Sequence, residues 1–415
     1  MLPIQHWFLD SEQTDWHHFN QSFIFRVKQP IEKKSLKKAI QAVLQHHDAL
    51  RLYYQSKPFG WEQTYQAIQD IIPLEVVDLR SIEKVDYASV IQQQGEYYQA
   101  NLNPGKGDLV RFVYFQCEGG DGTDRLLIVI HHLAIDGVSW RILLDDLTTL
   151  LSGGQLPAKT HSYRAWAEAL QGAAQDGQFD ISIPYWLDQT AQPVQTLAIE
   201  YPDALNKAGN SHHVQLTLSM QQTKHMLRTL PEQHQMTVDA ILLTALAETL
   251  VSNTETDVCI KLESHGRQEL FDTINLNRTL GWFTSAYPVR IPRFTGRAVQ
   301  RIRYTLDYVR RVTDGGISFG ALRYFHPDEH IREQLASLPE ASVVYNYLGQ
   351  MDSLDNAYFG VATESTGTSV APTFQRDTLL DSNALVIEDQ LHIHCLLYTS
   401  PSPRDLSTSR MPSSA

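Results

Sequence analysis

The sequence predicts a mixed α/β protein built as two lobes, and three observations lead there. The chain has 415 residues, more than one hydrophobic core usually supports, so two lobes of roughly 200 residues are expected. β-rich runs alternate with helix-period runs in both halves. A polar stretch, QGAAQDGQFD at 171–180, separates the halves and reads as the crossing between lobes. The expected division is an N-terminal lobe over 1–175 and a C-terminal lobe over 176–394. No period recurs that would indicate a repeat protein.

SLKKAIQAVLQHHDAL at 35–50 places Leu36, Ala39, Ile40, Val43, Leu44 and His47 at helical spacing, with Ser35 as the expected N-cap. LVRFVYFQ at 109–116 and RLLIVI at 125–130 read as strands joined through the turn-forming EGGDGTD, giving a hairpin. HHLAIDG follows, and SWRILLDDLTTLL after it reads as a helix stopped by Gly153 and Gly154. The second half opens with the strand HHVQLTLS, then a helix over Thr237–Val251 and the strand TDVCIKLE ending at Glu263. GWFTSAYPVRI and VVYNYLGQ are two further β-like runs. From Cys395 onward the composition turns to Ser, Pro, Thr and Arg, so 395–415 is expected to be a non-native or disordered tail outside the fold.

A net charge of −13 and the absence of a basic patch interleaved with aromatics exclude a nucleic-acid role. Cys117, Cys259 and Cys395 are widely spaced and lie outside any CxxC pattern. They predict neither a disulfide framework nor a zinc site and suit a reducing cytoplasm. The N-terminus MLPIQHWFLDSEQ has no signal-peptide pattern, and no run approaches the roughly 18 apolar residues of a membrane span, so a soluble, cytoplasmic protein is expected. Nucleotide, flavin, nicotinamide and pyridoxal phosphate fingerprints are all missing.

The sharpest motif is His131-His132-Leu-Ala-Ile-Asp136-Gly137, directly after an apolar strand. Adjacent side chains of an extended segment face opposite ways, so one histidine faces any cavity and the other is structural. Asp136 is expected to turn inward, holding a cation or the loop backbone. Gly137 is expected to permit a close turn, and Ser139 to help cap the following helix. A metal site is disfavoured, because neighbouring histidines diverge and no third ligand is positioned. His46, His47, His212 and His213 form pairs without a following Asp-Gly and read as surface or core residues.

HHLAIDG resembles the HHxxxDG hallmark of the condensation superfamily of nonribosomal peptide synthetases. PIQHWF at 3–8, HHLAIDGVSWRIL with Trp140, LESHGRQEL at 262–270, RTLGWFTSAYPV at 278–289 and VVYNYLGQ at 343–350 resemble its epimerisation subtype. Ser264 and Gln268 stand where that subtype usually has Gly and Glu, and Gly315–Gly320 only loosely matches its glycine-rich bridge. The subtype's final aromatic-rich strand meets the foreign-looking tail near Cys395.

The resemblance implies two chloramphenicol-acetyltransferase-like lobes in a V, with the active site in a tunnel between them. It implies L-to-D epimerisation at the α-carbon of an aminoacyl or peptidyl thioester held on a peptidyl carrier protein, without a bound cofactor. The 4′-phosphopantetheine arm belongs to the carrier, and other synthetase domains are expected partners. By resemblance His132 and Glu263 are the proton-transfer pair. His131, Asp136, Gly137, Ser139 and Arg267 support them, Arg267 anchoring Glu263 or Asp136, while Asn346 and Tyr347 are candidate donors to the enolate oxygen. Trp140, Trp282 and Phe283 are assigned to packing or the tunnel wall. Two rivals carry the same fold: a condensing domain that forms peptide bonds, against which Glu263 and Trp140 argue, and a noncatalytic recruitment module. The lack of adenylation and carrier domains gives the expectation of a piece of a larger synthetase.

Overall fold

The computed structural model describes residues 1–11, 13–67, 72–118, 124–189, 194–195, 197, 205–251, 257–350 and 354–398. In chain order the first half gives α1 (Pro3–Asp10), β1 (Asn20–Val27), α2 (Lys33–His46), β2 (Leu52–Lys57), β3 (Gly60–Tyr65), β4 (Leu74–Asp78), α3 (Tyr87–Ala100), β5 (Val110–Gln116), β6 (Arg125–His131), α4 (Gly137–Leu151) and α5 (Tyr163–Gln175). Then come α6 (Ile183–Asp188), β7 (Val194–Gln195), β8 (Ser211–Thr217), α7 (Met220–Lys224), α8 (Leu230–His234), α9 (Val238–Val251), β9 (Asp257–Ser264) and β10 (Ser285–Ile291). The chain continues through α10 (Ala298–Val309), α11 (Ile317–Phe325), α12 (Glu329–Ala336), β11 (Val343–Gln350), β12 (Phe359–Val361), β13 (Leu380–Ile387) and β14 (Gln390–Tyr398).

Two mixed sheets form the two lobes. The first has the order β12-β1-β6-β5-β4, the second β10-β9-β11-β13-β14-β8 with β7 also beside β9. β6 is buried on both faces: Leu126, Ile128 and Ile130 enter the main core, while Leu127 and Val129 enter a smaller core with Ile91 of α3. That explains a continuous apolar run where a half-exposed strand would alternate. Each such side chain contributes roughly 1.5–3 kcal/mol of burial, and together they make the end of β6 a rigid platform for the histidine loop.

Several sequence expectations need correction. Helix α2 begins at Lys33 with Glu32 at its N-cap, so Ser35 lies inside the first turn. Residues 171–175 belong to α5, where Ala173 and Ala174 are buried, so the passage toward the second core begins only after Gln175. The division at 175/176 is not clean either, because β12 pairs with β1 and Phe359 lies in the first core. Residues 395–398 are not tail. They finish β14, pairing with β13 and β8 as far as Leu397 and Tyr398, and Leu397 packs on the second core. The alternation of HIHCLLY continues across the boundary that composition suggested. The EGGDGTD turn falls largely outside the described residues.

Candidate active site

Strand β6 ends at His131, and a single 3₁₀ turn over His132–Ala134 turns the chain into α4. The two histidines separate as the pleat requires. His131 is fully buried; its Nε2–H donates to the Trp16 carbonyl at 2.9 Å and its Nδ1 accepts from the Leu133 N–H at 3.2 Å. Burial pushes its pKa down to about 3, so it is a neutral brace for the loop.

His132 opens onto a cavity of about 760 Å³ between the lobes. Its tautomer follows from its neighbours. Nδ1 lies 2.9 Å from the Ile135 carbonyl and must donate, which leaves the lone pair on Nε2. The Trp140 indole N–H can only donate, so the Gln21 oxygen faces it at 2.7 Å and the Gln21 amide N–H points to His132 Nε2 at 3.0 Å. Trp282 covers the imidazole with ring centroids 4.2 Å apart, and Phe19 stacks near it at 5.4 Å. Burial lowers the His132 pKa below the ordinary histidine value, partly opposed by Asp136 and the Ile135 carbonyl. Gln21 carries no local motif; only the pairing of Gln21 with Ile130 places it here.

Asp136 is the N-cap of α4, a role expected of Ser139. Its Oδ1 accepts from the Ser139 N–H at 2.8 Å and the Ser139 hydroxyl at 2.7 Å. Across the lobe seam it takes Arg267 at 3.1 Å on both oxygens and the Phe283 N–H at 3.1 Å. Ser139 also bonds Arg267 at 2.9 Å and the Gly281 N–H at 3.1 Å. Arg267 thus anchors Asp136 rather than Glu263, and its guanidinium lies 4.0 Å from the Phe283 ring centre. Gly137 adopts no left-handed conformation, and a Cβ there would meet nothing. The tight turn therefore does not demand glycine; Gly137 simply borders the cavity.

Glu263 reaches the same cavity from the C-terminal lobe. β9 and β11 run parallel with Tyr345 opposite Leu262, so Glu263 and Asn346 share a face and the Asn346 amide donates to Glu263 Oε2 at 2.9 Å. Burial raises the Glu263 pKa, helped by Asp381 and Asp377 and opposed by Lys261 and the Asn346 bond. Asn346, assigned to the enolate oxygen, thus also orients Glu263. Tyr347 lines the cavity, and burial, aided by Asp239, raises the pKa of its phenol. His265 is exposed and accepts from the Arg267 N–H at 3.0 Å. Gly266 has φ +64°, and any Cβ would strike the Phe283 carbonyl at 1.7 Å, so this position needs glycine. The two departures from the expected motif act together. Ser264 donates to the Gly315 carbonyl at 2.7 Å, and the Gln268 amide lies where a Gly315 Cβ would stand.

Apart from this cavity, His46, His47 and Asp146 bring metal-capable atoms within 4.8 Å of one another. Asp146 already accepts from His47 at 2.6 Å and from Arg278, so the trio reads as a second clamp between α4 and the β9–β10 segment.

The fold and this cavity define a two-lobed protein of the chloramphenicol-acetyltransferase type whose histidine loop and facing carboxylate come from different lobes. The Condensation domain profile matches residues 1–399, and the chain belongs to that family, as a condensation-family domain of nonribosomal peptide synthetases. It is 38% identical over 402 residues to one of the linear gramicidin synthase proteins of Brevibacillus parabrevis, covering 94% of this chain and 5% of that protein. With bacitracin synthase 3 of Bacillus licheniformis it shares 30% identity over 404 residues, covering 95% of this chain and 6% of the other. The chain therefore spans a small part of these relatives. Among solved structures, the epimerization domain from the third module of tyrocidine synthetase B superposes with a TM-score of 0.86 at 29% identity, covering 96% of this chain and 90% of the other. The condensation domain of the Monacolin K polyketide synthase MokA shares the fold, with a TM-score of 0.76 at 18% identity over 96% and 91% of the two chains.

Proposed function

We propose that this domain epimerises the α-carbon of an aminoacyl or peptidyl thioester presented by a peptidyl carrier protein, using no bound cofactor. The observation that carries the reading is that His132 and Glu263, from opposite lobes, border one cavity with pKa values displaced toward each other. In one direction neutral His132 takes the α-proton on Nε2, and the electron pair of the C–H bond passes into the thioester carbonyl as an enolate. Protonated Glu263 returns a proton to the opposite face, leaving imidazolium and carboxylate, and the reverse reaction begins from that state. The pair carries one transferable proton before and after the reaction, and two while the substrate is an enolate. Burial favours neutral His132 and protonated Glu263, the forms from which this direction starts. Asn346, which shares the face of Glu263, supports the enolate oxygen. Asp136 is fully engaged by its partners and acts as a strut.

The test is deuterium incorporation at the α-carbon of carrier-loaded L-aminoacyl thioesters in heavy water. Washout with L-to-D conversion is expected, and its loss in His132→Ala. A folded chain that shows no exchange on several loaded carriers, yet joins two loaded carriers into an amide, would assign it to condensation instead.

A further inference from the structure

The cavity continues past the catalytic pair to the other face of the C-terminal sheet. Glu263 and Asn346 share one face of β9 and β11, so Leu262 and Tyr345 face the opposite way. On that side Asp239, Tyr287, Tyr345, Tyr347 and Val309 border the cavity. Asp239 sits in the first turn of α9 and acts electrostatically on all three tyrosines. Among the described residues no lysine, arginine or histidine forms an ion pair with it. Tyr345 is 4% exposed, and its hydroxyl is directed at the Asp239 carboxylate.

A carboxylate in such a place is costly as an anion, and burial accordingly raises the Asp239 pKa, with Tyr345 opposing. One physical need remains unmet on this wall, a cation for the carboxylate, and an ammonium group supplies it. The surrounding aromatic faces favour it further, since cations are attracted to ring faces by about 0.5–2 kcal/mol according to exposure.

We propose that Asp239, Tyr287, Tyr345 and Tyr347 form a side-chain subsite that selects a substrate bearing a primary ammonium, of the lysyl or ornithyl class. This rests on the reading of the cavity as the site of a carrier-bound aminoacyl thioester. Asp239 determines specificity here and takes no part in the proton transfers.

The test uses the full chain and amide-linked L-lysyl-pantetheine and L-norleucyl-pantetheine, which share the α-amine and differ in the terminal ammonium. The lysyl analogue should bind at least about tenfold tighter, equivalent to about 1.4 kcal/mol, and Asp239→Asn should bring the ratio close to one. Equal affinity for the two analogues in the unaltered protein would overturn the subsite, and needs no variant to fold. So would an undiminished ratio in Asp239→Asn. Heavy-water exchange on the two corresponding thioesters separates the two claims: binding preference without exchange contradicts epimerisation and leaves the subsite standing, whereas exchange without preference does the reverse.

Discussion

His132 keeps its lone pair on Nε2 because Nδ1 is committed to the Ile135 carbonyl, and the Gln21 amide, locked by Trp140, presents a donor to that lone pair. A donor at Nε2 favours the uncharged ring. Removing it in Gln21→Leu should therefore move the acid limb of the pH–rate profile to higher pH, without moving the limb set by Glu263; an unmoved acid limb would refute the role. His131 makes a different prediction about stability. Its folded pKa of about 3 lies below the unfolded value of about 6.5, so the unfolded chain binds the extra proton between those values. Stability from this group is complete above pH 6.5 and falls as pH drops toward 3, by about 2 kcal/mol at pH 5. Denaturant midpoints at pH 7 and pH 5 should accordingly fall further for the unaltered protein than for His131→Gln. The divergence of the two histidines was legible in the sequence, since it follows from the pleat. Gln21 and Asp239 were not, because each reaches the cavity through pairing or packing with residues distant in the chain.

Helix α4 is the element that joins the lobes. Its Asp136 meets Arg267 with both side chains less than 10% exposed, and its Asp146 meets Arg278. Breaking a buried pair by removing one partner costs about 3–5 kcal/mol, because a charge is left unpaired. Asp136→Ala should lower the unfolding free energy by that order. Combining it with Arg267→Met should cost much less than the sum of the single changes; strict additivity would mean that the two do not interact. β14 makes a second prediction at this scale. It lies between β13 and β8, so a chain ending at Tyr398 should fold, while one ending at Asp389 exposes the β13 edge and should aggregate. Light scattering and thermal unfolding of the two truncations check this. Composition misplaced the boundary because Ser-Pro-rich sequence follows closely, whereas strand alternation in HIHCLLY marks the true extent.

Over the whole molecule, periodicity was enough to identify most strands and helices, since β6, α4, α9 and β9 carry long apolar patterns. It was not enough to show that β12 leaves the second lobe to pair with β1; three residues carry no pattern, and their place depends on which sheet edge is open. Nor does any local rule bring β6 of one lobe opposite β9 of the other. That meeting brings His132 and Glu263 to one cavity. The most direct measurement follows α-hydrogen exchange and inversion in heavy water for Glu263→Gln, starting separately from L- and D-aminoacyl thioesters on a carrier. Interconversion should be lost in both directions while His132 still exchanges the α-hydrogen of one enantiomer. Interconversion at the rate of the unaltered protein would contradict the proposed pairing of His132 with Glu263.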